Sequence, residues 1–124
     1  MNISIIISGN FQREAKPLLK KFPSLKSELI TLKETLLKNP FEGTPIGKNC
    51  YKIRLAIKSK GKGKSGGARI ITFVIIEILK DSQEEIIVNL ASIYDKSEFA
   101  NIDYKDLKNI ITEIKEEVKK LKSK

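Results

Sequence analysis

The residues with the clearest potential for chemistry form one long basic interval of the sequence. No Asp or Glu occurs between Glu42 and Glu77, whereas the rest of the chain holds 16 of the 24 Lys and Arg residues and all 15 acids. The interval contributes eight cations, which are Lys48, Lys52, Arg54, Lys58, Lys60, Lys62, Lys64 and Arg69. A local excess of this kind is the electrostatic signature of a polyanionic partner, most often nucleic acid. The alternative is a basic surface that only keeps the protein soluble.

A cluster of cations beside a tyrosine can also cleave RNA without histidine or a metal ion. The 2′-OH of the RNA would be the nucleophile, and a lysine whose pKa is lowered by its neighbours would be the base. An arginine would stabilise the negative charge that develops at phosphorus. The chain has no His and one Cys, Cys50, which removes His-type zinc sites, Ser-His-Asp triads, paired-histidine ribonucleases and internal disulfides. We therefore expect a site with neither metal nor cofactor.

The glycine-rich stretch KGKGKSGGARI, residues 60–70, has two misleading matches. Gly61, Gly63 and Gly66 fit G-x-G-x-x-G, but the dinucleotide fingerprint needs a following helix, and the sequence predicts a strand there. A P-loop would need glycine at the position that Lys58 occupies. Because glycines let backbone N–H groups approach phosphate oxygens, we expect a phosphate-binding loop that stays flexible until its ligand arrives. Its predicted RNA- or phosphate-binding residues are Lys58, Lys60, Lys62, Lys64, Ser65, Gly66 and Gly67.

The elements that must position these residues begin with a strand and two helices. A β-branched run over residues 3–8 predicts a strand, and Asn10 is the expected N-cap of a helix that ends near Phe22. Pro23-Ser24 ends that helix and caps a second one, which Asn39-Pro40 stops. We expect the two helices to form a hairpin packed on a sheet.

The basic interval is predicted to begin on a strand. Residues 41–49 are predicted to form a loop because of their glycines and proline. Residues 51–58 then alternate, so that apolar side chains face the core while Lys52, Arg54 and Lys58 lie on the open face. This pattern predicts three cations in a row on one side of a sheet.

Two further strands and a helix complete the predicted domain. The almost continuous apolar run at 70–79 predicts a central strand covered on both faces, residues 86–94 predict a third strand, and Asp103 is the expected N-cap of a last helix. The predicted order is β-α-α-β-β-β-α. We expect one α+β domain over residues 1–124, with a small antiparallel sheet packed against an N-terminal helical hairpin and a C-terminal helix.

This topology predicts that separate cations converge. Antiparallel pairing places Arg69 near the far end of the strand that carries Lys52 and Arg54. Tyr94 and Lys96 lie at the end of the third strand, which runs parallel to the first strand of the meander, so the ends of these two strands meet on the same side. No apolar run approaches the roughly 18 residues of a membrane span, and the start lacks the basic region of a secretory signal. We expect a cytoplasmic protein with no membrane partner.

Three stretches of the chain resemble the RelE/ParE toxin superfamily of type II toxin–antitoxin modules. They are FQREAKPLLKKFPSL, YKIRLAIKSKGKGKSGGARIIT and IYDKSE, and the resemblance covers almost the whole chain in the predicted element order. The chain is most similar to the RelE/HigB-like branch that carries GKSGGxR, here residues 63–69. The resemblance implies a RelE-like fold, a metal-independent mRNA interferase that cleaves mRNA on the ribosome and inhibits translation, and a cognate antitoxin that covers the basic surface.

The resemblance also implies roles for individual residues. Lys52 and Arg54 match the basic pair of a YKIK-like strand, Arg69 matches the arginine that opens the next strand, and Lys96 matches the basic residue after the last one. No arginine follows Arg69, although members of this branch often carry one near the position of Lys96. The implied catalytic residues are four cations and two tyrosines: Lys52, Arg54, Arg69, Lys96, Tyr94 and Tyr104. The proton-transfer group stays open among Lys52, Lys96, Tyr94 and Tyr104.

Two other functions fit the same sequence less well. A ParE-like toxin that inhibits DNA gyrase would need a protein-binding surface, and the row of cations counts against it. A non-catalytic RNA-binding module would use the cations for phosphate contacts alone. The expected partners are the antitoxin, mRNA and ribosomal RNA.

Overall fold

The structure is a computed structural model that describes residues 2–61, 63–98 and 101–122, and the side chains of Lys64, Ser65 and Tyr104 lie outside this description. The chain has an α+β fold, as the sequence predicts. Its elements, in chain order, are β1 (Asn2–Ile7), α1 (Gly9–Lys21), α2 (Leu25–Lys38), β2 (Thr44–Gly47), β3 (Cys50–Leu55), a 3-10 helix (Lys58–Lys60), α3 (Gly63–Gly66), β4 (Ala68–Ile78), β5 (Glu84–Asp95) and α4 (Tyr104–Lys122).

The five strands form one mostly antiparallel sheet in the order β1-β5-β4-β3-β2. Strands β3, β4 and β5 form the predicted meander, and β1 adds to β5 in parallel. Strand β4 is central, and it is buried on both faces from Ala68 to Val74. Beyond that point Ile76 is 54% exposed and Ile78 is 76% exposed, so the predicted burial of the whole strand is wrong at its outer end. Ile76 and Ile78 lie on the same face as Ile70 and Val74, but the core that α1 and α2 cover contains neither of them.

The sheet has a hydrophobic core on each face. Helices α1 and α2 cover one face, where Phe11 and Leu36 pack with Ile70 of β4. Helix α4 covers the other face, where Ile114 packs with Phe73. The apolar stripes that predict these helices are therefore the residues that fill the two cores. Among the described residues, no helix is both long enough and apolar enough to cross a membrane.

Local capping differs from the sequence prediction at the first helix. Ser8, and not Asn10, is the N-cap of α1, because its hydroxyl accepts a 3.1 Å hydrogen bond from the Phe11 N–H. Asn10 lies in the first turn, and its amide donates to the Ala91 carbonyl of β5 at 3.0 Å. Asp103 precedes α4 as predicted, and its carboxylate accepts from the Lys105 N–H at 2.8 Å.

The predicted loop at 41–49 contains a strand. Strand β2 pairs antiparallel with β3 through a two-residue turn, Lys48 and Asn49, whose φ angles of 54° and 63° are those that a type I′ turn requires. The proline and two glycines of this segment made it resemble a loop. Strand β2 tolerates them because it lies at the edge of the sheet.

Candidate nucleic-acid interface

Two arginines and a tyrosine lie directly opposite one another on three neighbouring strands. Arg54 of β3 pairs with Arg69 of β4, and Arg69 pairs with Tyr94 of β5. We call these three residues the arginine–tyrosine row. Because neighbouring strands are about 4.8 Å apart, the row crosses the sheet over roughly 10 Å. Strand alternation puts it on the face that α4 covers.

The three members of the row differ in exposure. Arg54 is exposed, whereas Arg69 is only 5% exposed and donates through Nη1 to the Ala68 carbonyl at 3.2 Å. Tyr94 is buried, and this burial raises the pKa of its hydroxyl, although the charge of Arg69 and a hydrogen bond with the Ile102 backbone act in the opposite direction. The Tyr94 hydroxyl therefore stays protonated at neutral pH. The row presents one accessible cation with a second, buried cation beside it on the neighbouring strand.

Lys52 extends this site by one step along β3. It lies two residues before Arg54 on the same face, and its Nζ donates to Asn101 Oδ1 at 3.2 Å. Lys52 and Tyr94 also line a common cavity of about 170 Å³, which Ile102 helps to close. The segment before α4 thus forms one wall of the site.

Lys96 follows β5 two residues after Tyr94 and is half-buried. Its N–H donates to the Gly67 carbonyl at 3.0 Å, so the pairing of β4 with β5 continues past the strand ends. Lys96 lies one residue beyond the end of β5, and its backbone meets Gly67 at the start of β4. Strand pairing confirms that Arg54, Arg69 and Tyr94 lie side by side, with Lys52 two residues from Arg54 on the same face.

Gly67 allows the close approach that fixes this end of the sheet. A Cβ atom on Gly67 would lie 2.0 Å from the Leu55 carbonyl oxygen, a distance that no side chain can adopt. Leu55 pairs with Ala68, directly beside the pair of Arg54 and Arg69. Gly67 thus contributes to the site because it has no side chain, which lets the backbone at the start of β4 lie close to the end of β3.

Lys58 does not belong to the cation row that the alternation of β3 predicts. The strand ends at Leu55, Ile57 is 1% exposed, and Lys58 begins the 3-10 helix. The Lys58 N–H donates to the Glu28 carboxylate of α2 at 2.7 Å. The prediction was wrong here because the alternating pattern continues for three residues after the strand pairing stops.

Lys60 points to the opposite face of the sheet. Its Nζ contacts the Asp95 carboxylate and the Ser97 hydroxyl, and the Lys60 and Asp95 side chains are only 9% and 2% exposed. The ammonium also lies 5.7 Å from the centre of the Phe22 ring. Asp95 follows Tyr94 directly, so alternation directs the two side chains to opposite faces. The charge of Lys60 is neutralised inside the protein, and in this structure Lys60 does not present it to a ligand.

The segment from Lys58 to Lys60 forms a 3-10 helix that hydrogen-bonds to the start of α2. The Ser59 N–H donates to Ser24 Oγ at 2.9 Å, and the two serine hydroxyls are 2.9 Å apart. These contacts join residues 35 positions apart in sequence, which no local pattern could reveal.

The other predicted loop residues have a mixed outcome. Gly66 ends the single turn of α3, and Gly67 leads into β4. Lys62 lies outside the described residues, as do the side chains of Lys64, Ser65 and Tyr104; the backbone of Tyr104 begins α4. Sequence reasoning missed Asn101 and Asp95. Asp95 carried one usable signal, since it stands between two predicted site residues in YDKS.

The site combines an exposed arginine, a buried arginine and two flanking lysines at one sheet end. Arginine binds phosphate through two parallel hydrogen bonds, and lysine adds a point charge, so this arrangement can hold a phosphodiester and stabilise extra charge on it. Within the described ranges, no three Asp, Glu or Cys side chains come together in a way that could hold a metal ion. No protein-family model matches the sequence, and no curated protein matches it.

Proposed function

We propose that this protein is the toxin of a type II toxin–antitoxin module and cleaves mRNA on the ribosome. The observation that carries the proposal is the direct pairing of Arg54 with Arg69 beside Tyr94. Like charges directly opposite each other on a sheet are destabilising, so a pair of this kind favours a functional explanation. The resemblance of GKSGGAR and IYDKSE to RelE/HigB-like toxins supports the same function. A cytoplasmic location and an antitoxin that covers the basic surface are part of the proposal.

The proposed reaction is attack of the 2′-oxygen of the RNA on the neighbouring phosphorus. The new O–P bond forms a 2′,3′-cyclic phosphate, and the bond from phosphorus to the 5′-oxygen breaks. A base takes the 2′-OH proton, and the departing 5′-oxygen receives a proton. Arg54 would contact the non-bridging oxygens, while Arg69 would add positive charge from the neighbouring strand as negative charge develops.

The structure favours some proton-transfer candidates over others. The Tyr94 hydroxyl is buried and its raised pKa keeps it protonated, so it is poorly suited to accept a proton from RNA. We assign Tyr94 the role of packing beside Arg69 and fixing its position. Lys52 and Lys96 lie at the open end of the site, and we propose that one of them transfers the proton.

The test uses a translating extract in which mRNA ends are mapped by primer extension. Arg54 is the residue to change, because it is exposed and Arg54→Gln leaves the core intact. We expect codon-phased cuts from the wild-type protein and about a hundredfold slower cleavage by Arg54→Gln, the usual effect of losing a group that stabilises transition-state charge. Lys33→Gln is the control, since it removes one charge from an exposed site on α2.

Each other outcome supports a different function. Intact mRNA with arrested DNA replication would support a gyrase inhibitor. Intact mRNA together with salt-sensitive RNA binding would support a binding module without catalysis. Equal cleavage by Arg54→Gln and Lys33→Gln would remove the arginine–tyrosine row from the mechanism.

A further inference from the structure

Helix α4 carries its charges on two separate edges. On one edge Glu113 pairs with Arg13 of α1 at 2.8 Å, and Glu117 accepts a 3.2 Å hydrogen bond from the Gly9 N–H. On the other edge Lys122 pairs with Glu77 at the outer end of β4. The acidic edge therefore faces α1, and the basic edge faces the outer half of β4.

A groove runs along that basic edge. It has a volume of about 490 Å³ and lies between α4, the outer part of β4 and the turn that joins β2 to β3. Its floor is apolar, with Phe73 and Ile111 among its residues, and its ionisable groups within the described chain are three lysines: Lys48, Lys108 and Lys115. The Lys115 Nζ lies 6.0 Å from the centre of the Phe73 ring, which places that ammonium over the floor.

Strand β3 leads from the groove toward the candidate active site. Lys48 lies in the turn that begins this strand, Lys52 follows in its middle, and Arg54 lies near its end. Strand β3 covers four residue steps from Cys50 to Arg54, about 13 Å, and Lys48 lies in the turn before it. The Lys108 and Lys115 positions are two helical turns apart, or about 10.5 Å along α4. These lengths correspond to about four and three phosphates of a stacked strand.

We propose that this groove binds the phosphate backbone of the RNA strand that leaves the arginine–tyrosine row. The inference rests on the proposed function for the identity of the ligand, and it extends the site by several nucleotides. Point charges above an apolar floor fit a sugar–phosphate strand without requiring a particular base sequence. An acidic protein segment is the competing ligand, and continuity with Arg54 through Lys52 favours RNA.

The test measures binding of 2′-O-methyl oligouridylate to the full chain by fluorescence anisotropy at several salt concentrations. This probe lacks the 2′-OH nucleophile, so binding is read without cleavage. Probes of about three and about twelve nucleotides separate the two regions, because only the longer one spans more than about 13 Å at stacked spacing. The variant is Lys108→Gln/Lys115→Gln. Its control is Lys26→Gln/Lys33→Gln, which removes two exposed charges at the same seven-residue spacing on α2.

We expect the groove variant to lose affinity for the longer probe only. Two lost phosphate contacts should reduce the magnitude of the salt slope by about 1.4 for a single strand. The short probe should bind the variant and the wild-type protein equally, and the control variant should behave as wild type with both. Equal losses with both probes, or equal losses in the variant and its control, would overturn the proposal.

Two further measurements separate this inference from its alternatives. The groove variant could bind a polyglutamate peptide more weakly than the wild-type protein does while its RNA binding is unchanged. That result would assign the groove to an acidic protein and refute the proposed RNA binding. Length-dependent RNA binding without mRNA cleavage in the translating extract would retain the groove and reject the proposed nuclease. Cleavage that depends on Arg54, together with RNA binding that Lys108→Gln/Lys115→Gln does not change, would retain the proposed nuclease and reject the groove.

Discussion

Replacement of Asp95 by asparagine removes one charge from the most buried ion pair described in the protein. The Asp95 carboxylate accepts from the Lys60 ammonium and, at 2.9 Å, from the Ser97 N–H. The asparagine side chain would keep an acceptor oxygen and nearly the same shape. The substitution therefore tests the charge of Asp95 with little change in packing.

The expected cost follows from burial. With exposures of 9% and 2%, both charges of the pair are shielded from water. Loss of one partner from a buried pair typically costs 3–5 kcal/mol, and the flexible stem of Lys60 can move its ammonium to solvent, so we expect about 3 kcal/mol. For a domain of this size that corresponds to a fall in Tm of roughly 12 °C. The double variant Asp95→Asn/Lys60→Met should regain much of this loss, with a coupling energy of about 2 kcal/mol.

Urea unfolding at neutral pH measures these free energies, and an exposed ion pair provides the control. Arg13 and Glu113 are 2.8 Å apart with exposures of 63% and 44%, so Glu113→Gln should cost less than about 1 kcal/mol. If Asp95→Asn costs no more than Glu113→Gln, the buried pair does not stabilise the fold and the reasoning is refuted.

The same pair has a defined pH dependence. Burial alone would raise the pKa of Asp95, but hydrogen bonds from Lys60 and Ser97 outweigh it and lower the pKa below its ordinary value. A carboxylate with a lowered folded-state pKa stabilises the protein above its unfolded value of about 3.9, and this stabilisation is lost as the pH falls through the folded value. The stability difference between wild type and Asp95→Asn should therefore be constant near neutral pH and shrink below about pH 4.

Two remaining predictions concern Gly67 and Cys50. Gly67→Ala should lower the free energy of unfolding in urea by at least about 3 kcal/mol, because the new Cβ would overlap the Leu55 carbonyl. Gly61→Ala, which has open space and a φ of 75°, should lower it by only about 1–2 kcal/mol. Equal costs would contradict the close approach. Burial raises the pKa of the Cys50 thiol to about 11, so its stabilising contribution should be present below about pH 8.5 and lost as the pH rises toward the folded value. Comparison with Cys50→Ala between neutral and alkaline pH checks this, and parallel stability curves would contradict it.

The sequence predicted the elements whose pattern is set by burial. The alternation of β3 and the apolar run of β4 reflect real core faces, so both strands and their antiparallel pairing could be predicted. That pairing was enough to bring Arg54 and Arg69 together. The edge strand β2 was missed because edge positions accept Pro45 and Gly47, residues that predict a loop elsewhere in a chain.

The errors at the site arise from contacts between distant residues. Lys58 and Lys60 look like members of one basic loop, but Glu28 and Asp95 determine where they lie. Each of these contacts joins residues at least 30 positions apart, and their geometry exists only after the helices pack on the sheet. Local charge patterns could predict that the region is basic, but not which of its lysines remain accessible.

Two arginines stand directly opposite each other at this end of the sheet, and their pairing supports a functional interpretation. Arg54 pairs with Arg69, and Lys52 lies one step along the same strand. A fold selected for stability alone would favour opposite charges or apolar pairs at adjacent strand positions. The retained cluster of like charges therefore fits a surface that binds an external phosphate.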